Sequence, residues 1–179
     1  MKIYTKTGDR GDTGLSGGAR IGKEEPRMQA IGDIDELNAA IGVARALGAG
    51  GLDYGLERIQ SWLFDVGAEL GNAREDQHRR VSNLQSEELE RSMDDQTQLL
   101  EPLRSFILPG GCPLAAHLHL ARTVCRRAER SVVRLDRIDG VRLDVKIFLN
   151  RLSDWLFVAA RTANARAGVE DTKWKHSED

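Results

Sequence analysis

Met28, Ile31, Ile34, Leu37, Ile41, Ala44 and Leu47 recur at steps of three and four with polar residues between them, which predicts a helix from Pro26 to about Leu47. Pro26 suits a first helical turn, Glu24 and Glu25 favour the helix N-terminus, and Gly48, Gly50 and Gly51 end the pattern. Asp53 is a candidate N-cap for a second helix carrying Leu56, Ile59, Leu63, Val66 and Leu70, closed by Gly71-Asn72. The polar stretch from Ala73 to Gln85 has no period and reads as a connection. Ser86 is then expected to cap a shorter helix with Leu89, Met93 and Leu99 or Leu100 inward, stopped by Pro102. Pro113 opens a fourth helix with the stripe Leu118, Ala121, Cys125, Ala128, Val132 and Leu135, ended by Gly140. A fifth starts near Arg142, carries Val145, Phe148, Leu149, Leu152, Leu156 and Ala159, and ends before Gly168. The expected fold is therefore all-α, a bundle of five helices in one domain over residues 1–168, with a polar, loose tail over 169–179.

The exception to this pattern is Thr5 to Lys23, TKTGDRGDTGLSGGARIGK, which is rich in glycine, hydroxyl and basic residues. Its glycines allow successive N–H groups to curl into an anion-binding nest, and Lys6, Arg10, Arg20 and Lys23 bring the charge a polyphosphate needs. A solvated N-terminal arm explains the same composition equally well.

Composition narrows the class. The chain has 179 residues, 40% hydrophobic, 30% charged and 5% aromatic, which suits long charge-faced helices packed through aliphatic side chains. A formal charge of -2 gives no basic footprint for nucleic acid or an anionic membrane. Cys112 and Cys125 are too few and too far apart for a metal knuckle or a redox pair, so reduced thiols are expected. No apolar leader follows Met1 to Tyr4 and no run is apolar enough to span a bilayer, which predicts a cytoplasmic protein without membrane contact.

Candidate chemistry concentrates on the fourth helix. Arg122, Arg126 and Glu129, with Arg130 one turn beyond Arg126, fall on one flank of its apolar stripe. Such runs are commonly solvated faces, but at the edge of a buried stripe arginine forks recognise phosphate and a glutamate can hold a divalent cation. Arg127 and Arg134 point elsewhere and read as ordinary surface. On the first helix, Asp35 sits at the edge of the stripe and Asn38 within it, and an ion pair from Asp35 to an arginine of helix four is one way to satisfy them. Asn150 and Asp154 lie one turn apart on the fifth helix, a placement that serves a helix-to-helix hydrogen bond as readily as a ligand. Gly17 to Lys23 imitates a Walker A loop, but Glu24 stands where the magnesium-binding Ser or Thr would be. Glu75-x-x-His78 has no second copy for a di-iron site, and no nucleophile-base triad stands out.

Taken together, TKTGDRGDTGL, Gly32-x-x-Asp35-Glu36-Leu37-Asn38, Phe106-Ile107-Leu108-Pro109-Gly110-Gly111, Arg122-x-x-x-Arg126-Arg127-Ala128-Glu129-Arg130 and Asn150-Arg151-Leu152-Ser153-Asp154 resemble the PduO-type ATP:cob(I)alamin adenosyltransferases. The resemblance spans residues 1 to about 165. It implies a ferritin-like up-and-down bundle, a homotrimer with active sites between subunits, and transfer of the adenosyl group of ATP to the cobalt of cobalamin with release of triphosphate. Carried over, it makes Thr5, Lys6, Thr7, Gly8, Thr13 and Lys23 the ATP cradle, and Arg126, Glu129, Arg130 and Asn150 the rest of the nucleotide site, Glu129 through Mg²⁺. It pairs Asp35 with Arg122 across the subunit boundary beside the cobalamin pocket. It sets Phe106 against the lower face of the corrin, and a reductase or a B12-dependent enzyme is the implied partner. The other classes open to such a chain are a bundle that carries or senses ATP or a corrinoid, and a purely structural bundle.

Overall fold

A computed structural model describes residues 3, 4, 6–16, 18–72 and 80–175. Five α-helices dominate: α1 Pro26–Ala46, α2 Asp53–Leu70, α3 Asn83–Thr97, α4 Pro113–Asp139 and α5 Leu143–Arg166. α4 and α5 form the central pair, α1 packs on α4, α2 on α1 and α3 on α5. The side chains between them are those of the apolar stripes, with Leu37, Ile41, Leu56, Ile59, Leu63, Leu118, Leu135, Phe148, Leu149, Leu152 and Leu156 fully buried. Each contributes about 1.5–3 kcal/mol by leaving water. Trp62 of α2 meets Phe148 edge to face at 6.0 Å, which carries the core from α5 across to α2.

Helix limits follow local chemistry. Pro26 starts α1, and Pro113 starts α4. Gly140, at φ 69°, reverses the chain after α4 as L side chains rarely can. Asp53 is the first residue of α2 and not its cap; its carboxylate instead takes Arg45 Nε at 2.9 Å and holds the α1–α2 corner. The third helix corrects the expectation more substantially. Ser82 is its N-cap, closing a capping box in which Ser82 N–H donates to Gln85 Oε1 at 3.0 Å. Ser86, expected as the cap, is buried one turn inside, and α3 ends before Leu99, which is 80% exposed.

The glycine-rich segment is neither a bare arm nor a simple loop. Strand β1 (Asp12–Gly14) pairs antiparallel with β2 (Arg20–Gly22), with Thr13 opposite Ile21. Leu15 N–H donates to Ala19 O at 2.8 Å and Lys23 N–H to Gly11 O at 2.7 Å, closing both ends of the hairpin. Ser16 N–H donates to Gly71 O at 3.1 Å, which pins the hairpin to the end of α2. The tail also differs from expectation: its residues through Lys175 are stitched to the α3–α4 connection by Leu108 N–H to Thr172 O and Trp174 N–H to Phe106 O, each 2.8 Å. Among the described residues no helix is long and apolar enough to cross a membrane.

Candidate active site

Steps of three, four, three, four and four place His119, Arg122, Arg126, Glu129, Val133 and Arg137 on one flank of α4, with Arg130 and Arg134 beside them. Arg126, Glu129, Arg130, Val133, Arg134 and Arg137 line a pocket of about 370 Å³. Four arginines thus share one carboxylate. None of Arg122, Arg126, Arg130, Arg134 and Arg137 makes an ion pair among the described residues, whereas Arg127 on the far flank does. Burial, and then the neighbouring charge of Arg126, holds the Arg122 guanidinium below its ordinary pKa, and its buried Nε has no partner among the described residues. A cationic row with a single carboxylate has the charge and hydrogen-bond donors to attract a polyanion.

The row continues onto α5. Cys125 donates its thiol to Leu149 O at 3.3 Å, so Asn150, exposed and next in sequence, lies beside the same seam. Burial pushes the Cys125 thiol far above its ordinary value, and the charges of Glu129 and Asp154 push the same way while Arg126 opposes them. That leaves a neutral packing thiol and no nucleophile.

Of the N-terminal cradle, Thr5 lies outside the described residues, as do Glu75 and His78. The rest is brought together. Lys6 stands at φ 61° with its ammonium 5.9 Å from the Tyr4 ring, Arg20 donates to Thr7 O at 2.8 Å, and Thr13 is half-buried in β1. A Cβ on Gly8 would stand 3.4 Å from Lys23 Nζ, so the absent side chain leaves the Lys23 ammonium directly over the backbone. The hairpin borders a groove of about 190 Å³ with Leu135, Ile138 and Asp139 of α4. Those positions lie about half a turn around α4 from the arginine row. The hairpin and the arginine row thus lie on different flanks of α4.

The same geometry overturns the ion pair from Asp35 to helix four as an intrachain contact. Arg127, taken for surface, and Ser131 point at α1, and they engage Asp33 and Glu36: Arg127 pairs with Glu36 and reaches Asp33 at 3.8 Å, and Ser131 donates to Asp33 at 2.5 Å. Asp35 is exposed and makes no ion pair among the described residues, while Arg122 faces away from α1. Asn38 is only partly satisfied: its Nδ2 donates to Gln60 O and its backbone carbonyl accepts from Gln60 Nε2, at 3.1 Å each, while its buried side-chain Oδ1 has no partner among the described residues. Phe106 is 80% exposed at the far end of the bundle.

His119, one turn before Arg122, points to a different helix face from His117 and makes no metal pair with it in sequence. It is buried against Phe157, and neither ring nitrogen has a partner among the described residues. Burial and then Arg122 hold its pKa below the usual 6.5, against a smaller opposite pull from Asp171. The native state therefore keeps it neutral while the unfolded chain takes up a proton below about pH 6.5, so this site costs stability as the pH falls. His119→Leu is expected to raise the thermal midpoint at pH 5.5 more than at pH 7.5. An equal midpoint change at both pH values would contradict the neutral-histidine reading.

Known proteins match this arrangement over nearly its whole length. The family model for cobalamin adenosyltransferase matches residues 3–163. A corrinoid adenosyltransferase of Bacillus subtilis is 44% identical over 99% of this chain and 94% of its own. One from mouse is 41% identical over 97% of this chain and 77% of its own. A PduO-type ATP:corrinoid adenosyltransferase of Lactobacillus reuteri, solved as a phenylalanine-to-alanine variant with cobalamin and ATP, superposes with a TM-score of 0.94 at 40% identity, covering 98% of this chain and 100% of that one. An arginine-to-lysine variant of the Lactobacillus protein, solved with ATP, gives 0.93 at 40% identity over 97% of this chain and 100% of that one. The chain belongs to the cobalamin adenosyltransferase family.

Proposed function

We propose that the chain transfers the 5′-deoxyadenosyl group of ATP to the cobalt of cob(I)alamin, releasing triphosphate. The observation that carries this is the row of α4 arginines, which line one pocket with the single carboxylate of Glu129 and make no ion pair among the described residues. Co(I) supplies the electron pair: the cobalt–carbon bond forms as the C5′–oxygen bond breaks, and the pair in that bond leaves with the triphosphate. Such a reaction needs alignment and charge stabilisation, and no protein nucleophile or base. The absence of a triad from the sequence accords with it.

Arg126, Arg130 and Asn150 would hold the nucleotide from the α4–α5 seam, with Thr5, Lys6, Thr7, Gly8, Thr13 and Lys23 covering the triphosphate. The hairpin borders α4 on a different flank from the row, and a homotrimer with sites between subunits would bring the cradle of one chain to the row of its neighbour. Exposed Asp35 and half-buried Arg122, on different flanks and with no ion pair among the described residues, would then meet across that boundary beside the corrin. Glu129 suits Mg²⁺ in the shared manner in which one carboxylate and phosphate oxygens complete the ion's coordination. Bound there, Mg²⁺ would offset charge gathering on the triphosphate. Phe106 would close the lower face of the corrin. In the Lactobacillus structures the replaced phenylalanine and arginine stand twenty positions apart, as Phe106 and Arg126 do here, which supports both assignments. Free Cys112 and Cys125 suit the reducing cytoplasm, where a reductase would deliver the electron that makes Co(I).

Given ATP, Mg²⁺ and chemically reduced cobalamin, the purified protein is expected to produce the light-sensitive absorbance spectrum of adenosylcobalamin and one triphosphate per cobalt alkylated. ATP binding without that product would assign the bundle to carriage or sensing.

A further inference from the structure

Phe106 sits on a segment with no regular secondary structure, yet the segment is firmly tied. A buried polar cluster at the end of α5 holds it. Asn164, 2% exposed, accepts from Cys112 N–H at 2.9 Å and donates to Gly110 O at 3.2 Å and to Asp171 Oδ1 at 3.1 Å. Arg161, also buried, donates Nε to Asp171 Oδ2 at 2.7 Å and a terminal nitrogen to Glu101 O at 2.7 Å. The α3–α4 connection is thereby gripped on both sides of Phe106, at Glu101 and at Gly110 to Cys112. Gly111, at φ 109°, completes the grip: a Cβ there would lie inside the Asn164 amide.

Asp171 also fixes where the tail starts. Three residues on, the chain runs antiparallel to the Phe106 segment, bridging Ile107 to Lys173 and bonding Trp174 N–H to Phe106 O. The Trp174 ring then meets the Phe106 ring edge to face, 6.4 Å between centroids and 77° between planes. An exposed aromatic ring on an irregular loop would ordinarily sample several rotamers. Here its backbone and one edge are both held.

We propose that Asp171, Asn164 and Trp174 are positioning residues that hold Phe106 in the pose needed to keep an axial ligand off the lower face of the corrin. The proposal rests on the reading of Phe106 given above. The Asp171 carboxylate, shared between Arg161 and Asn164, registers the tail against the loop, and Trp174 transmits that register to the ring. None of the three touches the α4 pocket, so their effect is confined to the cobalt side.

The test compares Trp174→Ala, Trp174→Phe and Asp171→Asn with the unaltered protein. ATP affinity is measured by calorimetry, and the fraction of four-coordinate Co(II) by electron paramagnetic resonance of the ATP-loaded protein with Co(II) cobalamin. Trp174→Ala and Asp171→Asn are expected to keep ATP affinity within about twofold, as contacts remote from the pocket should, and to lower the four-coordinate fraction about tenfold. Trp174→Phe, which keeps an aromatic edge, is expected to restore most of it. An undiminished four-coordinate fraction in both Trp174→Ala and Asp171→Asn would overturn the proposal, as would ATP affinity falling in step with that fraction. Unaltered protein that binds ATP but makes no adenosylcobalamin would defeat the reading of the site, and the proposal with it; normal turnover beside an undiminished fraction defeats the proposal alone.

Discussion

Phe106→Ala is expected to bind ATP within about twofold of the unaltered protein while forming adenosylcobalamin about a hundredfold more slowly or worse. The two halves of that expectation come from separate observations. Phe106 is 80% exposed and lies outside the hydrophobic core, so removing its ring opens no cavity in the bundle and costs little stability. The pocket that would take the triphosphate is lined from α4, by Arg126 to Arg137, with no residue of the Phe106 segment. What the ring can do is exclude. Water or the nucleotide base at the lower axial position raises the energy of the orbital that must accept an electron, and an apolar ring there denies both a place. Without it, Co(II) keeps its axial ligand and is harder to reduce to the nucleophilic Co(I). Optical and magnetic spectra of the variant with ATP and Co(II) cobalamin should show the five-coordinate species and no four-coordinate one. A cobalt spectrum unchanged from that of the unaltered protein would remove Phe106 from the mechanism.

The helices most legible in sequence were those whose signals agreed with one another. α4 carries a proline at its start, a long apolar stripe and a glycine at its end, and its limits are Pro113 and Asp139 as that pattern predicts. α3 was misplaced at its start because two serines, Ser82 and Ser86, both precede apolar positions, and only the reciprocal Gln85 contact distinguishes the true cap. The hairpin was hidden because three-residue strands rich in glycine have too little alternation to register as strands; their pairing depends on docking to Gly71. The tail looked loose because its anchors are single polar residues, Asp171 bonded to Arg161 and Asn164, which leave no periodic trace.

Helical spacing alone puts Arg122, Arg126, Glu129 and Arg130 on one flank of α4, but spacing does not say what that flank meets. Choosing between Arg122 and Arg127 as the arginine that meets α1 requires knowing which flank of α4 the first helix covers. That flank is set by how the stripes pack, and Arg127 faces it. The same packing puts the groove beside the N-terminal hairpin about half a turn of α4 from the row, a separation invisible in motifs that follow one another along a chain.

The second large effect belongs to Arg126. Arg126→Lys is expected to lower kcat by about ten- to a hundredfold while KM for ATP rises only a few-fold. A lysine keeps the unit charge, so attraction of the polyphosphate into the row survives through it and through Arg130, Arg134 and Arg137. The Lactobacillus relative with an arginine-to-lysine change was solved with ATP bound, in accord with retained binding. What lysine lacks is the planar fork, which donates two parallel hydrogen bonds to adjacent phosphate oxygens and so fixes the direction of the leaving triphosphate. In-line displacement at C5′ is sensitive to that direction: the cobalt, the carbon and the departing oxygen must stay collinear as charge builds on the phosphate. The loss should therefore be in the transition state more than in the ground state, and Arg126→Ala should lose both. Steady-state kinetics with saturating Co(I) cobalamin separate the two parameters. A lysine variant whose KM rises a hundredfold at unchanged kcat would show Arg126 to be a binding group only, and the alignment role would pass to another member of the row.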